Sequence, residues 1–208
     1  MEQEKRQELD LSIARFIKEQ WEGEEEEKKE QLRKKYDPKE RITYTLEELI
    51  EGIRNGRQYL YTLLLEFESK ELLDGCLTIP FIKDFYDVEQ SENETVLLAS
   101  NKRKVVFSVA YMPGTKAKAS LDQWIAQTKE AMRDMHIYIK PGKKAVIGNL
   151  EYFCYVSPTA KGRLYNVIFR LQKGGRIYAG NFNCPEEEQK GMGMLLEAMV
   201  HVIEEMNR

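Results

Sequence analysis

Histidine is almost missing from this chain: His136 and His201 are the only two in 208 residues. A His-based metal centre or a Ser-His-Asp triad therefore has little material, and no metal or cofactor is expected. Cysteine is scarce as well. Cys76, Cys154 and Cys184 are odd in number, far apart and without CxxC spacing, the usage of reduced thiols. No window approaches the roughly 18 apolar residues that span a bilayer. The opening Met1-Glu2-Gln3-Glu4-Lys5-Arg6 lacks the apolar stretch of a secretory signal. Neither sign of charge dominates, since 32 Lys and Arg face 35 Asp and Glu. No long-range field then draws nucleic acid or an anionic membrane. The expectation is a cytoplasmic protein with no membrane span and no nucleic-acid partner.

What is present is enough for a core, with 42% hydrophobic and 10% aromatic residues. Charge is concentrated at the start, where residues 1–45 carry 11 basic and 13 acidic groups. Residues 1–37 read as a charged helix with Leu9, Ile13, Phe16 and Ile17 on one face and Trp21 at its edge. Glu24/Lys28 and Glu25/Lys29 pair at i,i+4, each contributing only about 0.2–0.5 kcal/mol. The apolar face needs a partner surface, so these five residues are the candidate partner-binding arm. Asp37-Pro38 ends the segment. The division expected is a charged helical extension over 1–44 and one α+β domain over 45–208.

Thr45 with Glu48, and Ser120 with Gln123, are capping boxes that open two helices. The first ends near Asn55-Gly56. The second carries Leu121, Trp124, Ile125, Thr128, Met132 and Met135 on one stripe, to lie across a sheet and end near His136. Between them, Tyr59–Glu68 reads as one strand with Tyr61, Leu63, Leu65 and Phe67 on a face. A turn at Asp74-Gly75 follows, then a strand Cys76–Ile79 stopped by Pro80. Thr95–Ser100 and Lys104–Met112 form a hairpin, and Pro113–Lys118 a loop. Ile137–Ile139 reads as a short strand stopped by Pro141-Gly142, and Gly148-Asn149 as a hairpin turn. The last hairpin turns at Gly174-Gly175. It places Tyr165, Val167, Phe169 and Leu171 inward, with Asn166, Arg170 and Gln172 outward. Pro185 and Glu186-Glu187-Glu188 then open a helix with Met192, Leu195, Met199, Val202, Ile203 and Met206 on one face. The order gives an antiparallel sheet layered by two amphipathic helices.

That order, with the phrase Gly175-Arg176-Ile177-Tyr178-Ala179-Gly180-Asn181-Phe182-Asn183-Cys184-Pro185, resembles the PsbP-like superfamily over roughly residues 75–206. The group includes the extrinsic PsbP subunit of photosystem II, a Ran-binding nuclear-import factor of yeast and the Eag chaperones of type VI secretion effectors. The resemblance implies partner binding more than catalysis. It rests on element order and supplies no site residue to carry over.

The candidate reactive groups have structural explanations. His201 sits opposite the apolar stripe near Glu197 and Glu205, as a solvated histidine would. His136 ends a helix, where a cation is favoured. Cys154 and Cys184 alternate with aromatics as buried small residues do. A Cys154–His136 pair is the only thiol–imidazole combination to consider. Gly191-Met192-Gly193 lies inside a helical pattern and reads as close helix-to-sheet approach rather than a phosphate loop. The sequon at Asn93 is chance without a secretion signal. Lys102-Arg103-Lys104, with Lys116 and Lys118, is the one basic concentration. Three functions remain open: a non-enzymatic accessory module binding an unknown protein partner, chaperone-like for a secreted or membrane client; a small-ligand binder or enzyme with a pocket between the Trp124 helix and the sheet; and a protein that self-associates as a homodimer through residues 1–37.

Overall fold

The computed structural model describes residues 43–92, 94–112, 119–160 and 162–208. The arm residues Leu9, Ile13, Phe16, Ile17 and Trp21, the pairs at Glu24–Lys29, the sequon at Asn93 and the loop 113–118 lie outside the described residues.

In chain order the elements are α1 (Leu46–Arg54), β1 (Arg57–Leu60), β2 (Leu63–Leu72), β3 (Leu77–Ile82), β4 (Val88–Glu92), β5 (Thr95–Ser100), β6 (Val105–Met112), α2 (Leu121–Asp134), β7 (Lys140–Ile147), β8 (Leu150–Thr159), β9 (Gly162–Lys173), β10 (Arg176–Pro185) and α3 (Met194–Met206). They build an α+β fold. Strands β1-β2-β3 form a small antiparallel sheet, and the others a seven-stranded one in the order β4-β5-β6-β10-β9-β8-β7.

Local chemistry sets these boundaries. The Thr45 hydroxyl accepts the Glu48 N–H at 3.2 Å while the Glu48 carboxylate accepts the Thr45 N–H at 3.0 Å. Ser120 and Gln123 do the same for α2, at 3.2 and 2.9 Å. Each box satisfies two donors that a helix start leaves orphaned. At the β9–β10 turn, Gly174 and Gly175 hold φ of 57° and 75°, which residues with a Cβ resist.

Several expected boundaries are corrected. Tyr59–Glu68 is not one strand, because the chain reverses after Leu60 and pairs Leu60 with Leu63. Tyr61 in the turn takes φ of 55°, and its N–H donates to the Tyr44 hydroxyl. Neither proline stops a strand. Pro80 lies within β3, paired with Ser69, and Pro141 within β7, paired with Tyr155. Both are edge strands, where a missing N–H is tolerated. Ile137–Ile139 is not a strand. β4 was not anticipated, since its Glu89-Gln90-Ser91-Glu92 has no apolar alternation. Met135 and Met206, read as core-facing, are 58% and 38% exposed.

The inward face of β9 is as its alternation predicts: Tyr165, Val167, Phe169 and Leu171 are all buried. Helix α3 packs over that side and against α1 and β3. Its Leu195, Leu196, Ala198, Met199, Val200, Val202 and Ile203 are all buried, which is more of its circumference than a single amphipathic stripe would cover. A single 3-10 turn (Glu186–Glu188) and a π turn (Gln189–Gly193) lead into it. There the close approach expected of the glycines is present, as a Cβ on Gly191 would stand 2.1 Å from the Tyr61 hydroxyl. Asn207 locks the far end. Its amide donates to the Thr78 and Ile203 carbonyls at 2.7 Å each, and its oxygen accepts the Thr78 N–H at 3.0 Å.

A close core contact joins β10 and β9. A Cβ on Gly180 would lie 2.4 Å from Cζ of Phe169, whose ring is fully buried beside Phe182 and Phe107. Gly180→Ala should lower stability by about 1–3 kcal/mol through overpacking, measured by urea unfolding. Adding Phe169→Leu should restore part of that loss. Equal effects of the single and double variants would refute the clash.

Candidate functional site

Titratable groups converge where α3 meets β7 and β8. Glu197 is 5% exposed. It accepts the Tyr165 hydroxyl at 2.6 Å and pairs with Lys143 Nζ at 2.7 Å. The Tyr152 hydroxyl stands 3.5 Å from the same carboxylate and 3.3 Å from His201 Nε2. Lys143 reaches inward because β7 carries a bulge between Pro141 and Lys144, and an extra strand residue re-aims the side chains beside it. The stripe bearing Glu197 and His201 is thus not the solvated face expected. It abuts the β7–β8 hairpin, and at the tip of that hairpin a Cβ on Gly148 would stand 1.9 Å from Glu204 Oε1.

The charge states follow from this packing. Burial, and then the Glu197 charge, push the Cys154 thiol up to about 12. Burial, reinforced by Glu188, takes Cys184 to about 12 as well. Burial raises the Tyr165 phenol far above its usual value, with Cys154 and Glu197 adding to it. His201 is lowered by burial first and by Lys143 second, against the opposing pull of Glu197, Glu205 and Glu47. Both cysteines are therefore protonated at neutral pH, as the buried-apolar reading holds, and a thiol is a poor nucleophile. His136 is exposed at the end of α2, where its backbone takes φ of 59° and donates to the Arg133 carbonyl at 2.8 Å. The structure does not bring it to Cys154. Among the described residues no group of three or more His, Cys, Asp and Glu is placed to hold a metal ion.

The opposite face of the large sheet divides in two. Over β8 lies α2, with Trp124 edge-on to Phe153 at 4.8 Å. Leu121, Ile125 and Met132 pack with it on Ile139, Phe153 and Tyr155, so the space beneath the helix is filled rather than a pocket. Arg170, expected outward, is only 8% exposed. Its Nε bonds Glu151 at 2.7 Å, its Nη2 bonds the Ala119 carbonyl, and its guanidinium lies 4.7 Å from the Trp124 ring centre. Asn166 is buried too, its amide on the Ser157 hydroxyl at 3.1 Å and the Leu164 carbonyl at 3.1 Å. Alternation sorted these residues to the second face correctly, but it carries no sign that α2 covers them.

On β4, β5, β6 and β10 the same face stays open. Leu97, Ala99, Val106, Ser108, Ala110, Ala179 and Asn181 are half-buried, and Met112 is 46% exposed. Register places Ala110 beside Ala179, and Ser108 beside Asn181. Five of these eight side chains are Ala, Ser or Asn, so most of the face is built from small side chains. At the β5–β6 turn, the guanidinium of Arg103 covers the Phe85 ring at 5.3 Å. Lys116 and Lys118 lie outside the described residues. No helix among the described residues is long and apolar enough to cross a membrane.

This layered antiparallel architecture is a PsbP-like fold. Among solved structures it is similar to the cyanobacterial PsbP of Synechocystis sp. PCC 6803, with a TM-score of 0.51 at 8% identity over 64% of this chain and 88% of that one. A Pseudomonas aeruginosa protein of unknown function, PA94, matches with a TM-score of 0.37 at 11% identity over 59% of this chain and 85% of that one. No family model matches the sequence, and no curated protein matches it.

Two measurements check the buried cluster. Lys143→Met should cost about 1–3 kcal/mol, because it leaves the Glu197 carboxylate buried without its counter-charge. The half-exposed lysine keeps the effect below that of a fully buried pair. Urea unfolding at pH 7 reads it, and Glu197→Gln in the same chain should recover part of the loss. In thiol titration of the native protein at pH 8, Cys76 alone among the three should react, with Cys154 and Cys184 joining only in denaturant.

Proposed function

We propose that this protein is a non-enzymatic accessory module that binds a protein partner through the open face of β4, β5, β6 and β10. One observation carries the reading: half of one sheet face is packed beneath α2, while the other half presents small apolar and amide side chains to solvent. Sheet faces of this kind gain stability by being covered. A face built mostly from small side chains leaves room for a helix or strand of another protein. A chaperone-like role for a secreted or membrane client, in the cytoplasm, is the concrete form of the proposal, because such clients carry apolar segments that need shelter before they reach their destination. The arm bearing Leu9, Ile13, Phe16, Ile17 and Trp21 is proposed as a second contact for the partner.

The test is affinity capture from native lysate with the wild-type chain, Ala110→Asp and Phe16→Asp. A partner held by the wild type and lost with Ala110→Asp, while the melting temperature stays within about 2 °C, supports the open face. Equal recovery by wild type and Ala110→Asp defeats it. Loss with Phe16→Asp alone assigns recognition to the arm.

A further inference from the structure

One surface outside the open face combines shape, exposed apolar groups and charge. Ala126, Lys129 and Arg133 follow one another along a stripe of α2 and face Ile137, Tyr138 and Ile139 across a cleft of about 260 Å3. The cleft exists because the chain doubles back at the helix end. His136 takes φ of 59°, and the Ile137 N–H bonds the Met132 carbonyl at 2.8 Å, so residues 137–139 run beside the helix they have just left.

The walls differ in character. Ile139 is buried at the base of the cleft, while Tyr138 at 72% and the neighbouring Met135 at 58% are among the most exposed apolar side chains described. Tyr, Met and Arg are the types enriched where proteins meet. The rim carries Lys129, Glu130 and Arg133, a net single positive charge. Arg133 is paired with Glu130 at 3.5 Å, an exposed contact that stabilises little. Lys129 has no carboxylate partner among the described residues.

Size narrows the occupant. Small-molecule pockets run from about 300 to 1,000 Å3 and enclose most of their ligand, whereas this cleft is smaller and open to solvent. It has room for one large side chain anchored from outside. We infer that it receives a single aromatic or large aliphatic side chain from a protein partner, on a segment whose neighbouring Asp or Glu residues meet Lys129 and Arg133. The inference rests on the partner-binding reading and adds a contact on α2, apart from the open sheet face.

Labelled hexapeptides carrying a central Trp flanked by Asp and Glu serve as the probe, titrated against the full chain by fluorescence anisotropy and amide chemical-shift mapping. Binding should weaken about tenfold, or about 1.4 kcal/mol, when Trp becomes Ala, when the flanks become Lys, or in Lys129→Glu/Arg133→Glu. Shifted amides should cluster over residues 126–139. Equal binding of acidic and basic peptides, no binding at millimolar concentration, or shifts confined to β5, β6 and β10 would each overturn it. The altered side chains are exposed, and an unchanged thermal melt of the double variant confirms that it folds. If Ala110→Asp loses a captured partner that Lys129→Glu/Arg133→Glu retains, the cleft inference fails and the partner-binding reading stands. If the wild type captures no partner, the broader reading fails instead.

Discussion

The fold depends on a helix that keeps only a narrow strip, from Met194 through His201 and Glu205 to Met206, in contact with water. Helix α3 lies against α1, β3 and β9, and its residues from Leu195 to Val200 are all buried. An ordinary amphipathic helix would leave its polar stripe in water. Here Glu197 and Glu204 are carried inside with the rest, at 5% and 3% exposure. Burying a carboxylate is costly unless it is paired and hydrogen-bonded. Much of the surrounding detail answers that demand: the bulge that aims Lys143, the phenol of Tyr165, the salt link from Arg208 to Glu204 at 2.8 Å and the bare backbone of Gly148. The small sheet is tied to the same helix by Asn207, so both sheets are referenced to one element.

The two faces of the large sheet therefore play unequal parts. The α3 side is saturated with aromatic and aliphatic packing, with Phe107 and Phe182 stacked at 4.3 Å. On the other side, a lightly seated helix over β8 leaves the remaining strands open. No residue of α2 is fully buried. It is held by the Trp124–Phe153 contact, the Arg170 clamp and a Lys144–Asp122 ion pair. Adaptable recognition fits the second face better than the first, because rearrangement there leaves the main core intact.

Much of this was legible in the residues. Both capping boxes, the Gly174-Gly175 and Gly148-Asn149 turns and the inward row of β9 stand where local chemistry places them, because each is decided within a few residues. What escaped was decided by distant partners. Alternation puts Asn166 and Arg170 on one face of β9, but whether α2 covers that face is a tertiary fact. Glu197 looked like a surface charge because its partner Lys143 is 54 positions away in the sequence and is aimed by a bulge. Pro80 and Pro141 looked like strand ends because edge position cannot be read from composition. The candidate arm lies outside the described residues. The open face was not legible, since Ala99, Ala110 and Ala179 have no sequence signature beyond being small.

Arg170 has a consequence for how this sequence can change. Its guanidinium holds Glu151 on β8, the Ala119 carbonyl ahead of α2 and the Trp124 ring at once. A lysine has no planar fork to meet all three. A lineage that loses the tryptophan leaves the arginine half-employed, and one that loses the arginine removes the cation that faces the half-buried Glu151. Trp124, Glu151 and Arg170 should therefore change together or not at all, so the three positions behave as one unit of variation.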